Sequence, residues 1–170
     1  MKASGRLSAP LVLLVDEDPI TRNLLRPLLR PQGLEVVQVR ASTAALELLQ
    51  RVAGRFRLVV VSVEMAGLSG AVVLETVRLF RPELATICLT GVESTTVATK
   101  GACLMKPASS EALRERIAHA LAGAPSPIPA AKLTPDAIAK ARGVFERSGS
   151  LLAAAREIEL GMSDQSAFEA

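Results

Sequence analysis

The chain has 170 residues, 49% of them hydrophobic, enough to bury the core of one ordinary domain with a small appendage. Four Phe with no Tyr or Trp leave no aromatic platform on which single-stranded nucleic acid stacks. The net charge of +3 divides into −1 over residues 132–170 and +4 over the rest, a diffuse excess without the clustered Lys and Arg of a nucleic-acid footprint.

In chain order, a tail of residues 1–9 with Lys2 and Arg6 precedes the apolar run Leu11–Val15, which is too short for a secretory core or a membrane span. The expectation is a soluble cytoplasmic protein. Leu11–Val15 reads as a strand, and Ile20–Arg30 as a helix that Pro27 should kink or shorten, because proline lacks a backbone donor. Strand Leu34–Val39, helix Thr43–Val52 and strand Leu58–Val63 follow. The last has no polar alternation from Leu58 to Val61, as a parallel strand buried on both faces requires. Helix Ala71–Phe80, strand Ala85–Leu89, strand Ala102–Met105 and helix Ser109–Leu121 complete an alternation that predicts an α/β domain. The expected form is a doubly wound, five-stranded parallel sheet over residues 10–122.

Cys88 and Cys103 lie in apolar runs without metal-ligand spacing and read as buried thiols. Residues 123–132, with three prolines at alternate positions, read as an extended linker. Residues 133–170 read as a helical tail. Thr134 and Pro135 start its first helix, Ser148-Gly-Ser150 breaks it, Leu151–Ile158 restarts it, and Gly161-Met-Ser163 is expected to turn into a third helix.

Several polar residues fall at the ends of successive strands: Asp16-Glu17-Asp18, Ser62, Thr90 and Lys106-Pro107. In a doubly wound sheet the strand C-termini open onto a ligand crevice, so these side chains should converge. The acids before the first helix also suit its free amides and dipole.

The pieces Val12-Leu-Leu-Val-Asp-Glu-Asp-Pro-Ile-Thr-Arg22, Met65-Ala-Gly-Leu-Ser-Gly70, Leu89-Thr90-Gly91 and Leu104-Met-Lys-Pro107 resemble the receiver domain of bacterial two-component response regulators, which have a flavodoxin-like fold. The resemblance implies that Asp16 and Glu17 hold Mg²⁺, that position 62 carries an aspartate phosphorylated by a sensor kinase, and that Thr90 and Lys106 bind the phosphoryl group. It also marks Pro107 as a cis-proline candidate. This chain has Ser62 at the acceptor position. A serine hydroxyl is no nucleophile without an adjacent base and is a poor ligand for a hard cation, so the expectation is a pseudo-receiver with Mg²⁺ binding weak or lost. Glu64, two residues on, is the alternative carboxylate, against the reading of a solvated loop acid. Lys106 is then expected to pair with the acids as a structural cation. Cys103 stands where the family carries an aromatic switch residue, and only 15 residues separate Thr90 from Lys106, so the family's fourth helix should be shortened or absent.

The phrase from Phe145 to Ile158 is similar to the factor-for-inversion-stimulation type of helix-turn-helix. No basic residue follows Arg156 and four acids do, which opposes binding to a polyanion. The tail is therefore expected to be a dimerisation or docking element whose Leu151, Leu152, Ile158, Leu160 and Phe168 pack together or against a partner. The leading expectation is a phosphorylation-independent response regulator that binds a sensor kinase, another regulator or the transcription machinery. The alternative is a transcription factor reading DNA through a divergent helix-turn-helix. Enzymatic use of Ser62 is not expected, since the sole histidine, His119, falls on the last receiver helix as a solvated residue.

Overall fold

The computed structural model describes residues 9–52, 54–91, 103–123 and 133–166. Five strands, β1 (Leu11–Val15), β2 (Glu35–Val39), β3 (Phe56–Ser62), β4 (Ala85–Thr90) and β5 (Leu104–Met105), form one all-parallel sheet in the order β2-β1-β3-β4-β5. The helices are α1 (Pro19–Leu29), α2 (Ser42–Arg51), α3 (Gly70–Phe80), α4 (Ser110–Leu121), α5 (Pro135–Ser148) and α6 (Leu151–Ser166).

Side chains alternate across a strand, and here the alternation sorts the core into two halves. Leu13, Val15, Val59, Val61 and Cys88 face α2 and α3. Val12, Leu14, Val60, Ile87 and Leu89 face α1 and α4, whose Leu25, Leu29, Leu113 and Ile117 close that side. Leu58 to Val61 are fully buried, so the run without polar alternation does form a central strand. Asp18 caps α1 by accepting from the Ile20 and Thr21 amides, and Ser69 and Ser109 cap α3 and α4. Helix α1 passes through Pro27 and stops two residues later, where a 3-10 turn (Arg30–Gln32) leads to left-handed Gly33.

Three expectations need correction. Cys88 and Cys103 are not free thiols: they form a disulfide with Cα atoms 4.6 Å apart, both residues buried, tying β4 to the residue just before β5. The turn expected at Gly161-Met-Ser163 is absent, because α6 continues unbroken to Ser166. Gly161 instead serves a helix crossing. A Cβ there would stand 2.7 Å from the Ala137 Cβ, so the missing side chain lets α6 close on α5. Finally, three of the tail's apolar residues, Leu151, Leu152 and Ile158, pack on the receiver itself rather than only with one another. Leu151, Ala155 and Ile158 join the core cluster on the α2–α3 face, with Leu152 packed against it. The Leu151 amide donates to Gln50 Oε1 of α2 (2.8 Å), and Phe145 meets Phe80 of α3 with ring centroids 4.8 Å apart. Leu160 is exposed, and Phe168 lies outside the described residues, as do the linker positions 124–132 and the segment 92–102 between β4 and β5.

Two measurements check this packing. Ile158→Ala, which removes a fully buried side chain between tail and receiver, should cost about 2–5 kcal/mol in urea unfolding, the range for a core truncation. A smaller, surface-like effect would mean that the hairpin is not docked. Breaking the Cys88–Cys103 bond with reductant, or as the Cys88→Ala/Cys103→Ala pair, should cost about 3 kcal/mol, the loop-closure value for a bridge spanning some fifteen residues.

Candidate functional site

The crevice at the C-terminal edge of the sheet gathers residues from four strand ends. Asp16 follows β1 and is buried, with its amide bonded to the Val39 carbonyl (3.1 Å). Its Oδ1 accepts from the Asp18 amide (2.8 Å), and its Oδ2 meets Lys106 Nζ at 2.7 Å. The ion pair therefore spans from β1 to the residue after β5. Arg22 donates to the Asp16 carbonyl (2.6 Å), fixing the loop from the other side. Asp18 points away to its capping work, where the Thr21 hydroxyl (2.7 Å) and the Ile20 amide hold its carboxyl below the usual range.

Ser62 ends β3 with no exposed surface, and its Oγ has no hydrogen-bond partner among the described residues. Gly70 is why the loop beyond it can fold back: the Gly70 amide donates to the Val63 carbonyl (3.0 Å), and a Cβ at Gly70 would overlap the Ser62 carbonyl oxygen. Glu17 reaches across to that loop, accepting from the Ala66 amide (3.2 Å).

Glu64 is exposed on the loop after β3, as the reading of a solvated loop acid expects, but sequence reasoning missed its partners. It is bonded at the end of β4, where Oε1 accepts from Thr90 Oγ1 at 2.5 Å and Oε2 accepts from the Gly91 amide at 3.0 Å. Burial pushes its carboxyl up, but the Thr90 and Gly91 hydrogen bonds, aided by the charge of Lys106, outweigh burial and hold it below the ordinary range. The sheet register explains the meeting. Ser62 pairs with Leu89, so two further residues along each chain set Glu64 beside Gly91. The sequence signal was an acid two residues beyond one strand and Thr-Gly ending its neighbour, but it becomes readable only once the pairing is known.

Thr90 is buried, and its carbonyl accepts from the Lys106 amide (2.8 Å), so the same residue anchors β5. The Lys106–Pro107 peptide is cis. Cys103, placed by sequence at the family's aromatic switch position, is committed to the disulfide beneath the crevice. His119 sits exposed on α4, on the helix's outer side. Beside the crevice a largely apolar groove of about 550 Å³ is lined by Ile20, Leu24, Leu25, Leu28 and Pro107 with Asp18 and Lys106. Ile20 and Leu24 are 68% and 58% exposed.

The Mg²⁺ implied by the family resemblance meets an unsuitable donor set. One Asp16 oxygen is held by Lys106 and the other by a backbone amide, Glu17 is turned to Ala66, and Ser62 offers a hydroxyl where a carboxylate would be needed. Among the described residues no three His, Cys, Asp or Glu side chains converge on a metal position. A hard cation wanting several free carboxylate oxygens does not fit this arrangement.

Comparison with known proteins agrees with the fold. Residues 12–118 match the family model of the response regulator receiver domain. A cyclic di-GMP phosphodiesterase of Thermotoga maritima is 30% identical over 116 residues, 65% of this chain and 30% of that protein. The sensor protein GacS of Pseudomonas syringae is 39% identical over 75 residues, 44% of this chain and 8% of that protein. The chain thus spans under a third of either relative. Among solved structures, a receiver domain protein from Clostridium thermocellum superposes with TM-score 0.59 at 26% identity, over 67% of this chain and 95% of that one. The receiver of an HD domain-containing protein from Pseudomonas fluorescens gives 0.60 at 24%, over 72% and 94%, a likeness of fold. A family match over most of the chain, on a sheet of the order seen here, makes this protein a member of the response regulator receiver domain family.

Proposed function

We propose that this is an atypical response regulator that works by protein–protein contact without phosphorylation. The observation that carries the reading is Ser62: at the acceptor position of the family stands a fully buried hydroxyl with no hydrogen-bond partner, and so no activating base, among the described residues. The pairing of Lys106 with Asp16 supports it, because the cation that would meet a phosphoryl group is already engaged. Docking needs shape rather than chemistry, and the exposed apolar side chains of α1 beside the groove suit a sensor kinase, another regulator or a component of the transcription machinery. Among the described residues no helix is long and apolar enough to cross a membrane, and we assign a cytoplasmic location.

The transcription-factor alternative draws less support. Helix α6 is continuous and turns Leu151 and Ile158 onto the receiver, and beyond Arg156 the sequence has four acids and no Arg or Lys. Homodimerisation through the same side chains would require them to leave that packing.

Intact-mass measurement after incubation with a small-molecule phosphodonor and Mg²⁺ should show no phosphoryl adduct; an adduct mapped to Ser62 would sink the proposal. In a salt series the full chain should show no retention of duplex DNA even at low ionic strength, whereas tight binding that weakens steeply with salt would favour the transcription-factor reading.

A further inference from the structure

Glu64 has been described as a bonded side chain; its partners identify what it replaces. The Thr90 hydroxyl and the Gly91 amide are adjacent donors on one strand end, aimed so that each takes a different oxygen of a single carboxylate. Two convergent donors beside a lysine are the elements of an oxyanion cradle, and bonds to a charged acceptor are stronger than those to a neutral one. Thr90 is 2% exposed, so without Glu64 its hydroxyl would retain only a long contact to the Gly91 carbonyl at 3.4 Å. Lys106, bound to Asp16, leaves the cradle its field rather than a direct bond.

We propose that Glu64 is a built-in occupant of the phosphoryl-binding position that the family resemblance assigns to Thr90, engaging Thr90 Oγ1 and the Gly91 N–H and so holding that position closed to free oxyanions, carboxylate or phosphate. This deepens the phosphorylation-independent reading but rests on different atoms: Ser62 removes the acceptor, whereas Glu64 removes the place where a transferred group would be held. Thr90 is thereby fixed at all times in a contact that an arriving anion would otherwise create. Nothing covalent is involved, and the occupancy lasts as long as Glu64 is ionised.

The test is chemical rescue. In Glu64→Ala the thermal midpoint should fall and then rise with added acetate, saturably and beyond what chloride gives at equal ionic strength. Inorganic phosphate should act in the same way, and the Gly91 amide resonance should move along the same titration. The unaltered chain should show neither response, and Glu64→Ala/Thr90→Val should lose both. A Gly91 amide that ignores acetate and phosphate in Glu64→Ala, or that responds equally in the unaltered chain, overturns the proposal. Where Glu64→Ala does not fold, Glu64→Gln serves: protection of the Gly91 amide from hydrogen exchange should drop about tenfold as a neutral acceptor replaces a charged one. Unchanged protection would overturn the proposal by this route. These results are independent of the phosphodonor assay, so the two readings can fail separately.

Discussion

Leu58, Val59, Val60 and Val61 are four consecutive residues with no exposed surface, and the rest of the molecule is arranged to keep them dry. A strand buried on both faces needs a neighbour along each edge and a helix layer on each side. β1 and β4 supply the edges, α1 and α4 one layer, α2 and α3 the other. Each such side chain contributes about 1.5–3 kcal/mol on burial, so few sequences that satisfy this strand could place it elsewhere. The same constraint fixes the crevice, because parallel strands that all end on one edge must deliver their next residues to it together.

The C-terminal hairpin extends this logic by one layer. The α2–α3 face would leave Leu48, Leu79 and Phe80 at the surface; α5 and α6 cover it with Leu151, Ala155, Ile158 and Phe145. The close approach at Gly161 allows the hairpin to be narrow enough to bury small residues, Ala137 and Ala141 on α5 with Ala154 and Ala155 on α6. The receiver and its tail share one continuous apolar cluster.

Most of the fold was legible because the sequence repeats one unambiguous signal, short β-branched runs alternating with helical periods. Leu11–Val15 matched to the residue, and the expected starts of α1 to α5 fell within one residue of the observed ones. What was not legible depends on contacts between distant residues. Gly161-Met-Ser163 has the local chemistry of a turn, yet packing against Ala137 outweighs a helix propensity cost of about 1 kcal/mol for the glycine. Cys88 and Cys103 meet only because β4 and β5 are neighbours, an adjacency that spacing does not encode. Leu151 and Ile158 announce an apolar face but not which surface covers it. Asp16, Ser62, Thr90 and Lys106 were placed at strand ends correctly because strand ends are a local property, whereas the reach of Glu64 to Gly91 required the register.

The crevice satisfies itself almost completely. Four acids crowd this edge of the sheet, and in a site built to await a cation their mutual repulsion would weigh against the fold. Here each has a donor of its own: Asp16 has Lys106, Glu17 the Ala66 amide, Asp18 the Thr21 hydroxyl and helix amides, Glu64 the Thr90 hydroxyl and the Gly91 amide. The Asp16–Lys106 pair matters most: Asp16 is buried while Lys106 stays partly exposed, so losing the lysine would leave a buried carboxylate without its cation, and the intact pair also holds β1 to the end of the sheet. Against these the crevice leaves the Ser62 hydroxyl without a partner among the described residues, at about 1–3 kcal/mol for a buried polar group, a cost small enough for the fold to carry. Among the described residues each acid of the crevice is thus matched by a donor from the protein itself, and those bonds tie the strand ends to one another.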